Sequence, residues 1–448
     1  MTIMTQSHFI ILFGIPFVLL NMRTSWSVFR LVRQEGDHGR PSHDEMNSPK
    51  AKYIPSLIDA GSPPASSSTA AANTTESDVA PLQPANTTHA RKQPRFDLRM
   101  DWSNLGIRTP LAQRIERMQN DCHVESNPTN ATEKMKFFIK RGDPGGGIGS
   151  NLNEWSSFAC IAMRRDAMVL FRGDFTWAKG LPQCEDQRQK AHASGLGYSY
   201  LNCFFPKEST TKCAPPDKLP GEDDDKKDAR ILQIRPRAEK RSCERWLEDT
   251  QNTSIQEFHG ATFEWLFSQV SDFVIEEARR QIQEAFGDEG LPDPEDLVTL
   301  HIRWGDKSYS MKLKPISSYI HAVHKMVGPR ANQTDRPLHV YVASEDKLAI
   351  AAFEKEKPSH WIMHQSGPSF RGSVHMPSTA SGITGLQSLG ALLVSMEANY
   401  YVLTTISFWS RLIDGLRTNV VDQRCNSCTK VHHLQKPDNE KKRKKKKS

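Results

Sequence analysis

The chain is 448 residues long, 25% charged and 37% hydrophobic, with a formal net charge of +7. That length holds two ordinary domains with tails, and the low apolar share points to polar segments diluting a normal core. Lys441 to Lys447 are six lysines and one arginine and account for the whole excess of charge, so the body of the chain is balanced and lacks the broad basic face that nucleic-acid binding needs.

The first element is Phe9 to Leu20, FIILFGIPFVLL, an apolar run shorter than the ~20 residues of a spanning helix. Arg23, Arg30 and Arg33 follow it, against the usual placement of positive charge, and no small-residue cleavage site is evident. Residues 1–34 read as an uncleaved signal-anchor, with a cleaved signal as the alternative. Residues 35–95, which include SPPASSSTAAANTT, show neither helical nor strand periodicity and read as a disordered stem.

Asn73, Asn86, Asn130, Asn252 and Asn332 each open an N-x-Ser/Thr triplet, and the eight cysteines are even in number. Together with the apolar N-terminus these features predict the secretory pathway: a Golgi membrane protein with a lumenal catalytic part, or alternatively a secreted or ER-lumenal one. Cys425 and Cys428 form a CxxC pair without a second CxxC, which favours a disulfide over zinc. Cys160 lies in the apolar stretch Trp155 to Met163 and reads as a buried thiol.

The folded part divides into an α/β segment, 96–290, and a Rossmann-like segment, 291–424, with a disordered basic tail over 425–448 that is a solvated end rather than a nuclear signal. Phe137 to Ile139 predicts a strand, RGDPGGGIGSNLNEW a glycine loop, and Asn153 to Met163 a helix. Gly145, Gly146, Gly147 and Gly149 would let backbone N–H groups approach an anion at a helix start, or simply make a tight turn. Ala167 to Phe171 predicts a strand followed by Trp177, which is either a platform for a nucleotide base or a core aromatic. Phe263 to Phe286 carries helical spacing throughout and predicts one long amphipathic helix ending at Gly287.

Leu297 to Ile302, LVTLHI, predicts a strand that delivers Arg303, Asp306 and Lys307 from its carboxyl end. Ligands of parallel α/β sheets bind there, and an arginine fork suits a diphosphate. The competing reading is an Arg303–Asp306 ion pair closing a turn. A helix begins at Pro315, and Leu338 to Ala343 predicts a strand ending in Ser344, Glu345 and Asp346, carboxylates suited either to a nucleoside or to capping the next helix. Leu386 to Glu397 predicts a helix and Tyr400 to Leu403 a strand, after which Ser407 marks a second helix start able to hold an anion.

In this order, GGGIGSNL, LHIRWGDK with KPISSYI, VYVASED and ANYYVLTTISFWSRL resemble motifs of glycosyltransferase family 23, the alpha-1,6-fucosyltransferases. The resemblance implies a GT-B-like fold of two α/β domains with a Rossmann-like C-terminal half. It also implies GDP-fucose as donor, a glycan acceptor, inversion at the anomeric carbon and no metal. By motif, His301 and Arg303 match residues that contact the nucleotide and its β-phosphate. Asp306, Lys307, Glu345 and Asp346 match other residues of the catalytic machinery, Ser407 matches a phosphate-binding serine, and Trp177 falls near a tyrosine packed on guanine.

The departures are specific. Trp304 stands where the family has a second arginine, no glutamate lies between Lys307 and Pro315, with Ser310 nearest its place, and Ala391 falls where an aspartate binds guanine. The family's C-terminal SH3-like domain has no counterpart. The alternatives are a catalytically impaired nucleotide- or sugar-binding relative and a transferase of another sugar or acceptor, such as a protein O-fucosyltransferase, whose motifs share the His-x-Arg strand end.

Overall fold

The computed structural model of the protein describes residues 94–120, 136–141, 146–172, 175–193, 201–206, 236–305, 311–367 and 381–435. The signal-anchor, the stem as far as Gln93, the lysine-rich run and Gly145, Asp306, Lys307 and Ser310 lie outside the described residues. Among the described residues no helix is long and apolar enough to cross a membrane.

In chain order the elements are α1 (Pro110–Asn120), β1 (Lys136–Arg141), α2 (Ile148–Arg164), β2 (Ala167–Arg172), α3 (Pro182–Ala193), α4 (Leu201–Phe204), α5 (Pro236–Gln251), α6 (Ile255–Phe267) and α7 (Asp272–Phe286). There follow β3 (Leu297–His301), α8 (Ile316–Val327), β4 (His339–Ala343), α9 (Lys347–Glu356), β5 (Ile362–His364), α10 (Gly382–Val394), β6 (Tyr400–Leu403), α11 (Phe408–Leu416), α12 (Asp422–Cys425) and β7 (Lys430–His433). The fold is mixed α/β. β1 and β2 pair in parallel with α2 as their crossover, and β3 to β7 form a five-stranded parallel sheet in the order β5-β4-β3-β6-β7.

The chain walks outward from β3 to β4 and β5, then returns through α10 to β6 on the other side of β3. The reversal falls between β3 and β6, and the carboxyl ends of those two strands flank the crevice that such a reversal opens. All five residues of β3 are buried, as expected of a parallel strand covered on both faces. Val298 and Leu300 point into a core with Tyr319, Val323, Phe353 and Trp361, while the other face joins a larger core that contains α1, α2, α6, α7, α10 and α11. Trp155 and Trp265 stack inside that larger core with centroids 5.3 Å apart.

Several sequence expectations are corrected here. The single helix over Phe263 to Phe286 is two helices, because Ser268 ends α6 and Ser271 begins α7 after a short break. Ser271 uses its backbone N–H on the Phe204 carbonyl and its hydroxyl on that of Cys203, so the break is pinned by a neighbouring segment that periodicity cannot reveal. The helix after the glycine loop starts at Ile148 rather than Asn153, so Gly149 is helical. Cys160 is not a thiol but is bridged to Cys243, and Cys184 is bridged to Cys203. The tail expected over 425–448 is folded as far as Gln435, since β7 adds to the edge of β6. Asn252 and Asn332, the two described sequon asparagines, are both exposed.

Candidate functional site

The carboxyl ends of β3, β4 and β6 converge. His301 closes β3 fully buried, with Nδ1 2.6 Å from the Ser410 hydroxyl oxygen in the first turn of α11. That oxygen also accepts the Thr404 N–H at 3.0 Å. Burial, with a smaller push from the Arg303 charge, lowers the His301 pKa to about 3, so the ring is neutral at physiological pH. Its Nε2 has no hydrogen-bond partner.

Tyr319 of α8 secures the same junction. Its hydroxyl lies 2.9 Å from Thr404 Oγ1 and faces the Arg303 backbone, and burial raises its pKa. Two residues beyond His301, the Arg303 guanidinium donates to the Glu345 carboxylate at the end of β4. The other partner expected for Arg303, Asp306, lies outside the described residues. The Arg303 and Glu345 side chains keep 11% and 27% of their surface, enough for a ligand to reach them.

Asp346 has another task. Its carboxylate accepts the N–H groups of Leu348 at 2.8 Å and Ala349 at 3.3 Å and caps α9, and it is only 5% exposed. Both donors meet Oδ1, so the structure shows the helix-capping reading of this carboxylate. Trp304 sends its indole N–H to the Lys314 carbonyl at 2.8 Å, so it bridges the two sides of the 306–310 segment instead of offering a second cation.

α2 and α11 meet at their N-termini. A Cβ on Gly149 would stand 3.1 Å from the Cα, N and Cε3 atoms of Trp409, so only glycine permits this approach without displacement. Asn153 fixes it, donating from Nδ2 to the carbonyls of Gly149 at 2.7 Å and Phe408 at 3.2 Å. Gly147 precedes α2 and Ser407 precedes α11, and the Ser407 side chain makes no capping bond. Two partial positive helix ends are therefore held side by side.

Trp177 is buried, and its indole N–H donates to the Gly146 carbonyl at 3.0 Å. It braces the glycine loop from behind, and its burial overturns the expectation that it stacks on a base. Phe408 is the exposed aromatic at this place, with the Arg411 guanidinium 4.8 Å from its ring centroid. Of the residues expected at the site, Arg303 meets Glu345, His301 meets Ser410 of α11, and Gly149 packs against Trp409 in the turn that follows Ser407. Ser410, Thr404, Tyr319 and Asn153 were missed, because each acts through a partner distant in the chain or through a turn that spacing does not mark.

Among the described residues one group has metal-ligand spacing, Asp422, Cys425 and Cys428, and both of its sulfurs are joined in a disulfide. No protein-family model and no curated protein matches the chain. Among solved structures, it is similar to the NodZ alpha-1,6-fucosyltransferase soaked with GDP-fucose, at 12% identity over 63% of this chain and 93% of that one, with a TM-score of 0.32. It is also similar to the fucosyltransferase NodZ from Bradyrhizobium, at 14% identity over 62% of this chain and 92% of that one, with a TM-score of 0.31. At these scores the likenesses assign no role to any residue of this chain.

Proposed function

We propose that the chain is a glycosyltransferase that takes a nucleoside-diphosphate sugar, with GDP-fucose as donor and a glycan hydroxyl as acceptor by the motif resemblance. The observation that carries the reading is the switch of the parallel sheet, where Arg303, paired with Glu345, keeps part of its surface beyond β3 and the starts of α2 and α11 abut beyond the neighbouring β6. A cation and two helix N-termini are complementary to a diphosphate.

In an inverting transfer the acceptor oxygen attacks the anomeric carbon from the side opposite the diphosphate. The bond to the leaving oxygen breaks, and its negative charge grows. Arg303 and the two helix starts bear on that charge without reorganising, which is where preorganised donors accelerate most. The acceptor proton must pass to a base. Glu345 is the described carboxylate beside Arg303, and Asp306 is the other candidate. Metal independence rests on the resemblance alone.

The competing reading is a nucleotide-binding relative without turnover, favoured by the engagement of Asp346 as a cap and of Glu345 with Arg303. Calorimetric titration of the secreted protein with GDP, UDP and CMP, with and without a chelator, tests the donor site. Selective, chelator-insensitive GDP binding that weakens at least ~10-fold in Arg303→Ala is expected; equal binding by the variant sinks the reading. Binding of GDP without transfer or slow hydrolysis of GDP-fucose decides for the non-catalytic relative.

A further inference from the structure

We propose that the Cys425–Cys428 bridge is a redox-active site that takes electrons from dithiols, with Arg99 stabilising the departing Cys428 thiolate. The three described disulfides differ in kind. Cys160, Cys243, Cys184 and Cys203 are buried, and their bridges span sequence separations of 83 and 19. Cys425 and Cys428 are half-exposed and their bridge spans a separation of 3. So short a loop constrains the open chain least, so it is the bridge whose reduction loses least stability.

The turn does not depend on the bridge. Asn426, at φ 55°, is the left-handed cap that ends α12, and Ser427 follows at φ 59°. Ser427 N–H donates to the Asp422 carbonyl at 2.9 Å, and Thr429 donates its N–H and hydroxyl to the Asp422 carboxylate at 3.1 and 2.7 Å, so the turn stays anchored when the bridge opens.

Charge distinguishes the two sulfurs. Arg99 Nη2 lies 2.9 Å from Cys428 Sγ, and Asn399 Oδ1 lies 3.3 Å from it, ready to accept an S–H. Asp422 stands within 4.8 Å of both sulfurs and opposes ionisation, but Arg417 at 2.7 Å answers its charge. Arg424, next to Cys425, has its guanidinium committed to the carbonyls of Val420 and Gly106. Behind Arg99, the buried Glu397 accepts the Arg99 backbone N–H at 2.9 Å and pairs with Arg95 at 3.3 Å, and the buried Tyr401 hydroxyl has no partner.

The exchange then has a direction. One thiolate of the dithiol attacks Cys425 Sγ, and the bridge electrons leave on Cys428 beside the guanidinium, the better leaving group. The second thiol of the dithiol gives up its proton and attacks the mixed disulfide at its own sulfur. Cys425 leaves with the electron pair and takes up that proton. The dithiol is oxidised to a disulfide, and the bridge gains two electrons.

The full folded chain, exposed to graded dithiothreitol, trapped with iodoacetamide and read by mass spectrometry, tests this. Cys425 and Cys428 should label at dithiol concentrations at least ~10-fold below those that open the other two bridges, with tryptophan fluorescence unchanged. In the reduced protein Cys428 should alkylate with a pH midpoint about one unit below that of Cys425, a gap that Arg99→Gln abolishes. Simultaneous opening of the three described bridges with unfolding overturns the proposal, as does a Cys428 midpoint equal to or above that of Cys425. If Arg99→Gln does not fold, the two wild-type midpoints decide.

Discussion

Arg303 and Glu345 neutralise one another at the mouth of the candidate site, and that pairing makes their substitutions informative. A phosphate must compete with the carboxylate for the same guanidinium. Glu345→Gln is therefore expected to tighten GDP binding several-fold while lowering turnover by ~100-fold or more if this carboxylate accepts the acceptor proton. Calorimetry and a transfer assay on the same variant separate the two effects; weaker binding together with unchanged turnover contradicts both assignments. The buried titratable groups set a second expectation. His301 and His259 are each lowered from 6.5 to about 3, mainly by burial, so the unfolded chain binds more protons below pH 6.5 and stability falls on acidification through that window. Glu397 is raised by burial from 4.5 to about 7, so its contribution runs the other way and is lost as pH rises through 7. Glu397→Gln should remove the opposing slope, and urea melts between about pH 7 and 5 should show a steeper loss, by up to about 1.4 kcal/mol per pH unit. An unchanged slope would mean that Glu397 titrates normally.

Helix contacts at the scale of elements depend on a few glycines, and their environments predict unequal tolerance. A Cβ on Gly385 of α10 would lie 1.9 Å from the Trp177 carbonyl oxygen, backbone that cannot swing aside. Gly385→Ala is expected to destabilise by about 3 kcal/mol or more and to disturb the loop that Trp177 braces. Gly147, before α2, has an ordinary φ of -63°, and a Cβ added there would meet nothing within 4 Å, so Gly147→Ala should shift stability by no more than about 0.5 kcal/mol. Thermal melts of the pair check the ordering. Asn153→Ala breaks the staple between α2 and α11 and leaves two carbonyls short of a donor, which should cost about 1–3 kcal/mol. Donor affinity should fall with it, because the two helix starts drift apart.

Over the whole molecule, β7 has an importance that its position near the lysine-rich run conceals. It pairs with β6 from Tyr400 to Leu403, and the Gln435 carbonyl accepts from Ile406 N–H and Thr405 Oγ1, each at 3.0 Å. Those two residues lead directly into Ser407. A chain ending at Arg424 should lose about 2–4 kcal/mol of stability and most donor binding, whereas one ending at Gln435 should keep both. Melting and titration of the two truncations distinguish these outcomes.

The sequence by itself determined the parallel strands, since LVTLHI and LHVYVA are apolar runs that only a doubly covered sheet can use, and it located Arg303 at a strand end by counting alone. Gly287 and Pro315 marked real helix boundaries for the same local reason, the backbone angles they favour or forbid. Tertiary structure decided the rest. Which carboxylate meets Arg303, whether Trp177 faces a ligand or the core, and where α6 yields to α7 all depend on groups distant in the chain, here Glu345, Gly146 and Phe204. Periodicity reports which face of an element is apolar but carries no record of what packs against it, so residues that act through cross-chain contacts, such as Asn153 and Ser410, are silent until the chain is folded.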